Sequence, residues 1–284
     1  MKQLVMPKSI KQTKDLLEYI DGIIIGHENL TVNMPNYFCM EEIKQFNTLM
    51  KENKKSIFIS LNKNIFNSDL KELKETMKEL ETLKIDGILF YDIALVNIKK
   101  ENNYKTPLVW NQEHLTTNYL TSNFWYDFGA TFTMLSSEIT LDEIKEIKAN
   151  TKARLILPVF GYLPMFVSRR HLVKNYLDTF NLKDNSKINY IEKEDKIYPI
   201  IDTKNGTIAY SNVPLNALEE TLELDLDYIL LDSFNIEDET FKTIVKLFKD
   251  VNKENIKEYN EIINNLIETN KGFLYNETIY KVKK

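Results

Sequence analysis

The chain contains three histidines, His27, His114 and His171, and each falls at or just beyond the end of an apolar run or the turn that follows it. His27 closes GIIIGH and is followed by Glu28. His114 closes PLVWNQEH, directly behind Gln112 and Glu113. Glu138 follows TFTMLSS. An imidazole beside a carboxylate can relay a proton or activate water near neutral pH. On that chemistry His27, Glu113, His114 and Glu138 are the candidate catalytic groups. Asn62, Asp92 and Tyr162 end further apolar runs and are candidate ligand contacts. His27, Asp92, Glu113 and His114 also have the chemistry of a divalent-metal site, but no HExxH-like spacing accompanies them, so no metal is assigned. For any one of these residues the competing reading is a helix cap or a loop contact.

A second constellation lies in PVFGYLPMFVSRRHL, residues 158–172. Of 37 basic side chains only Arg154, Arg169 and Arg170 are arginine, and two of the three are adjacent. Gly161 permits backbone conformations closed to other residues, and Pro164 stiffens the turn after it. Ser168 is placed to cap a predicted helix over RRHLVKNYL, which puts Arg169 and Arg170 in its first turn. Cations there oppose the helix dipole, so their placement has another cause. Guanidinium pairs bidentately with carboxylate or phosphate where lysine does not. Two readings stand: an anion-binding corner contacted by Gly161, Tyr162, Ser168, Arg169 and Arg170, or a structural ion pair with a carboxylate such as Glu138.

These residues need elements to position them. Eight apolar runs, at 4–7, 22–27, 56–62, 87–92, 107–114, 131–137, 154–162 and 228–234, are nearly continuous, as expected of strands covered on both faces. Between them lie segments such as DLKELKETMKELETL, with apolar residues three and four apart. YIDGIIIGH, KIDGILFYD and DLDYILLDS repeat one unit: a helix end, an aspartate, then a strand. The pattern predicts an α/β fold, a (β/α)8 TIM-like barrel, with a doubly wound open sheet as the alternative. In such a barrel the strand C-termini form the functional mouth. KIYPIIDTKNGTIAYSN reads as a β-hairpin turning at Asn205-Gly206. The expected organisation is one barrel domain over 1–284, a hairpin insertion over 181–213 between strands seven and eight at the mouth, and a C-terminal helix and tail over 252–284. The aromatic run Phe124, Trp125, Tyr126 and Phe128 reads as core packing.

Composition narrows the classes. A formal net charge of −5 gives no support to whole-surface nucleic-acid binding. One cysteine, Cys39, excludes an internal disulfide and any site needing two thiolates from this chain. The N-terminus has no signal-peptide run, and no stretch approaches a membrane span. The expectation is a cytoplasmic protein with no membrane contact. Phosphate-loop and GxSxG patterns are absent.

The stretch around the arginine pair resembles a signature of the collagenase-like peptidases, family U32. Gly161, Leu163, Met165, Ser168, Arg170, Leu172, Asn175 and Tyr176 match it without a gap. SIFISLNKNIFNSDL, IDGILFYDIALV and the segment from LVWNQEH to ITLDEI resemble further family segments. The likeness spans about residues 20–235, and is greatest to a short, cysteine-poor branch that shares the GFLYNETIYKVK tail. Two signature cysteines are replaced, by Pro164 and His171, and the signature's Ser-Gly is Ser168-Arg169. The resemblance implies a barrel and two activities: peptide-bond hydrolysis by family name, or oxygen-independent hydroxylation, including 5-hydroxylation of the tRNA wobble uridine. It implies a longer, cysteine-bearing paralogue as partner, tRNA as a further partner, and a small anionic ligand in the mouth. Four-cysteine members hold an iron–sulfur cluster; this chain is expected to bind none alone. A non-catalytic subunit is the remaining reading.

Overall fold

The structure is a computed structural model that describes residues 1–112, 116–184 and 186–276. Eight parallel strands close a barrel: β1 (Lys2–Met6), β2 (Gly22–His27), β4 (Ser56–Leu61), β5 (Gly87–Phe90), β6 (Leu108–Trp110), β7 (Phe132–Met134), β8 (Arg154–Gly161) and β14 (Tyr228–Asp232). They pair in the order β1-β14-β8-β7-β6-β5-β4-β2, and β2 returns to β1. The two-residue β3 (Tyr37–Phe38) pairs with β2 outside this ring. The open-sheet alternative is thereby overturned. Helices α1 (Ile10–Leu16), α2 (Met40–Glu52), α3 (Leu70–Leu83), α4 (Ala94–Asn102), α5 (Tyr119–Asp127), α6 (Leu141–Asn150) and α8 (Asp238–Asp250) alternate with the strands, and α9 (Ile256–Leu266) follows. Among the described residues no helix is long and apolar enough to cross a membrane.

Strand alternation divides the core in two. Leu4, Ile24, Phe58, Leu89, Val109, Phe132, Ile156, Tyr228 and Leu230 fill the lumen, where the Phe58 ring meets those of Phe132 and Tyr228 edge-on. Their neighbours in sequence, such as Ile23, Ile25, Ile57 and Ile59, face the helices. The repeated aspartates have a common task. Asp21, Asp86 and Asp227 each precede a strand, and each carboxylate accepts a backbone N–H of an adjacent strand: Gln3 (2.8 Å), Ile57 (2.9 Å) and Leu155 (3.1 Å). They fasten the strand N-termini, the end opposite the mouth.

Between β8 and β14 the chain builds a second sheet. β9 (Pro164–Ser168), β10 (Asn189–Lys193), β11 (Lys196–Thr203) and β12 (Gly206–Tyr210) form an antiparallel sheet in the order β10-β11-β12-β9, with α7 (Leu172–Thr179) beside it. The insertion is therefore larger than a hairpin and begins at Pro164. A two-residue strand, β13 (Leu215–Asn216), returns against β8. The expected helix over RRHLVKNYL is corrected too: it starts at Leu172, with His171 at its N-cap position. Ser168 ends β9 and accepts the Arg170 N–H at 3.1 Å instead of capping the helix. On α5, Trp125 stacks on Trp110, whereas Phe124 and Phe128 are exposed, which corrects the reading of that run as core.

Candidate functional site at the barrel mouth

The strand C-termini converge on a cleft with two chambers. The inner one, about 60 Å³, lies over the lumen and is lined by Asn33, Asn62, Asn111, Ser137, Tyr162 and Asp232 among others. The outer one, about 400 Å³, is lined by Asn62, Lys63, Tyr91, Asn111, Gln112 and Arg169 among others. Asn62 and Asn111 border both and form the neck. Pleat parity explains their position: Asn62 lies two and four residues beyond Ser60 and lumenal Phe58, and Asn111 two beyond lumenal Val109.

At the neck, Asn62 is buried and its Oδ1 accepts the Val32 N–H at 3.0 Å. That bond assigns the amide, so Nδ2 lies on the other side. Asn111 is 4% exposed, and its Oδ1 has no hydrogen-bond partner. An unpartnered buried acceptor costs about 1–3 kcal/mol. Native proteins keep few such groups.

The inserted sheet forms one wall. Val167 and Arg169 reach the outer chamber from β9 and the turn after it. Asn205, at the β11–β12 turn, donates from Nδ2 to the carbonyls of Thr31 (2.7 Å) and Glu28 (3.2 Å), latching the turn onto the segment after β2. Gly206 has φ +129, and a Cβ there would stand 2.0 Å from the Ser168 carbonyl oxygen. Tyr210 stacks on Phe234, with ring centroids 3.9 Å apart, seating the sheet on the barrel. Gly161, φ +127, lets β8 approach the end of β14, since a Cβ would lie 2.7 Å from Asp232 Cβ.

The arginine pair divides. The Arg169 guanidinium lies 3.3 Å from the centroid of the Phe66 ring, at the outer chamber. Arg170 is exposed and lines neither chamber. Neither forms an ion pair among the described residues, so the pairing with Glu138 is not formed. The α7 amides are also spoken for. Thr207 Oγ1 accepts from Leu172 N–H at 2.7 Å, and the Asp202 carboxylate accepts from Lys174 N–H at 2.9 Å and Val173 N–H at 3.4 Å. An internal carboxylate thus occupies the helix end that the predicted capping would have offered to a ligand.

Other predicted residues scatter. His27 shares the pleat parity of Ile23 and Ile25 and so falls on the helix-facing side of β2, lining neither chamber. Its Nδ1 accepts the Asn29 N–H at 3.3 Å, and burial lowers its pKa below the ordinary histidine value. Asp92 is a loop tether: its carboxylate accepts from Ala94 N–H (2.9 Å) and Ile65 N–H (3.2 Å). Glu138 is half-buried and lines neither chamber. Tyr162 and Gly161 border the inner chamber, where burial raises the Tyr162 phenol pKa. Ser168 lines neither chamber, and His171 is exposed on the insertion. Glu113 and His114 lie outside the described residues. Lys63, Tyr91, Asn111 and Asn205 were missed by sequence reasoning. The signal for Asn111 was its even spacing from the lumenal Val109, obscured by extending that strand to 114. Lys63 and Asn205 are drawn in only by tertiary contacts.

No group of three or more His, Cys, Asp or Glu side chains suited to a metal occurs among the described residues. Cys39 is free, at the N-cap of α2. One thiolate does not match the four-ligand set of the usual cluster.

Comparison with known proteins agrees with this architecture. The tRNA hydroxylation protein P2 of Bacillus subtilis (strain 168) is 27% identical over 308 residues, spanning 98% of each chain. The tRNA hydroxylation protein P of Escherichia coli (strain K12) is 25% identical over 172 residues, 59% of this chain and 38% of that protein. The solved structure of the U32 peptidase Mk0906 matches with a TM-score of 0.54 at 14% identity, covering 81% of this chain and 92% of that one, a likeness of fold. The model of Peptidase family U32 matches residues 8–278, nearly the whole chain, and the protein belongs to that family.

Proposed function

We propose that this chain acts in tRNA hydroxylation, at C5 of the wobble uridine, in the cytoplasm and together with a longer, cysteine-bearing paralogue. The observation that carries the reading is similarity along 98% of both chains to a tRNA hydroxylation protein. The mouth chemistry supports it. The outer chamber presents Arg169, with Asn62, Asn111 and Tyr91 beside it, and Lys63, which is ion-paired with Asp69 at 3.2 Å. A free guanidinium over polar amides suits a phosphate- or carboxylate-bearing ligand. Arg169 is the proposed anion contact, and Arg170 lies beside it at the open edge. Asn62, Gly161 and Tyr162 form the ligand wall. Glu113, His114 and Glu138 adjoin the chamber in sequence and remain the proposed proton-handling groups. His27 and Asp92 act from behind, shaping the loops that carry the neck. With a single thiol, this chain holds no cluster by itself; redox equivalents come from the partner.

Mass spectrometry of tRNA nucleosides from a strain lacking this chain tests the reading. Loss of the 5-hydroxyuridine-derived nucleosides is expected, restored by the wild-type gene and only in part by Arg169→Lys. An unchanged nucleoside profile would overturn it. The rival reading, peptide-bond hydrolysis, rests on the family name; it requires cleavage of unfolded collagen by the purified chain, abolished by substitution at the mouth.

A further inference from the structure

Resting on the proposed action on tRNA, we infer that Asn62 and Asn111 select the base, by reading the imide edge of a uracil ring drawn into the outer chamber. The inference begins with two carboxamides that have polar groups to spare. Asn62 Oδ1 is committed to Val32 N–H, which leaves Nδ2 as a donor with no partner at the cleft. Asn111 makes no side-chain hydrogen bond, although it is 4% exposed. Its terminal torsion is broad and two-fold, so oxygen and nitrogen can each turn to the chamber. The Asn111 oxygen is shut off from solvent in the structure, and a turn about that torsion brings it to the neck beside its nitrogen; with Asn62 Nδ2 the neck then presents donor, acceptor, donor. The complement is acceptor, donor, acceptor: two carbonyls flanking an N–H. The imide of uracil has that order. Cytosine, with an unprotonated ring nitrogen where uracil has N–H, does not.

The surroundings suit a base that has left its stack. RNA-binding sites hold splayed bases against aromatic rings and read their Watson–Crick edges. Tyr91, 37% exposed, borders the chamber. Arg169, which forms no ion pair among the described residues, stands at the same chamber, where a flanking phosphate would run; Lys63 also lines it but is paired with Asp69 at 3.2 Å. The neck residues carry no charge, which fits recognition of a neutral base edge, while Arg169 sits where phosphate charge is expected.

The test uses the full chain and labelled single-stranded RNA pentamers whose central residue is uridine, cytidine or N3-methyluridine, followed by fluorescence anisotropy. Wild-type protein should bind the uridine probe about tenfold or more tighter than either other probe, the scale of a lost neutral hydrogen-bond set. Asn62→Asp keeps an oxygen for Val32 N–H, replaces the donor by an acceptor and adds a negative charge at a buried site, so a lowered thermal melt is expected. Because that charge weakens binding of every RNA probe, the readout is the ratio between probes, and most of the uridine preference should be lost. Asn111→Leu should erase the preference as well. If a variant unfolds, the wild-type ratio of uridine to N3-methyluridine decides, because that methyl blocks the N–H alone. Equal binding of the three probes, no binding at all, or folded variants with the wild-type ratio would overturn the inference. Uridine-selective binding beside an unchanged nucleoside profile in the deletion strain would instead sink the hydroxylation reading. Loss of the nucleosides without base preference would sink only the base-reading pair.

Discussion

At the scale of single residues, Arg169 and His27 show opposite uses of a charged side chain. Arg169 is cationic, exposed and backed by the Phe66 ring. Lysine there retains charge but loses the planar stack and the fork. Arg169→Lys should lower affinity for inorganic phosphate or a dicarboxylate about tenfold, while its melting temperature stays within a degree or two of wild type; calorimetry beside thermal melts checks this. His27 is buried, and burial lowers its pKa from 6.5, against the carboxylates of Glu72, Glu28 and Glu79 and with Lys204. The unfolded chain then takes up the proton first. The stability His27 contributes is complete above pH 6.5 and falls as pH drops from there towards its folded pKa, by at most about 1.4 kcal/mol per pH unit. In His27→Gln, melting temperature should decline less between pH 7 and 5. Parallel pH curves for the two proteins would show that His27 does not titrate with folding.

At the scale of elements, the insertion depends on one turn. Gly206 stands where β12 passes Ser168 and Arg169, with φ +129. An added methyl meets the Ser168 carbonyl, so β9 and β12 must separate. Gly206→Ala should cost about 1–3 kcal/mol locally. Amide exchange in β9 and β12 should accelerate, with β2 and β4 unchanged, and anion affinity should fall because Arg169 leaves the chamber. Unchanged exchange in β9 would show that the turn absorbs the methyl. The barrel elements were legible because their apolar runs and Asp–strand units are local signals. β9 was not: Met165, Phe166 and Val167 are exposed and look like a turn until β12 pairs with them. The helix start slipped from Ser168 to His171 for the same reason, since β9 claims the serine.

At the scale of the whole molecule, closure depends on a filled lumen. Phe58 is fully buried where rings from β4, β7 and β14 meet. Phe58→Ala should destabilise by about 3–5 kcal/mol in denaturant unfolding, because atoms on all sides of the barrel lose contact at once. A cost under about 1 kcal/mol would mean that the lumen collapses around the gap. The barrel also separates tasks by end. Asp21, Asp86 and Asp227 tie the strand N-termini, and the mouth carries the Asn111 carboxamide, whose oxygen has no partner.

By itself, the sequence determined the eight strands, their parallel order of appearance and the single thiol. Those follow from periodicity, from short-range turn signals and from composition, none of which needs a distant contact. Only the tertiary structure decided which polar residues face the cleft. One residue of strand parity turns His27 to the helices and Asn62 to the mouth, and the sequence pattern of an apolar run ending in a polar residue is the same for both. It also decided that Asp202 fills the end of α7, that Asn205 latches the insertion, and that Arg169 rests on Phe66. Each of those contacts joins residues 28 to 177 positions apart, so their energies depend on closure and are not written in any local stretch.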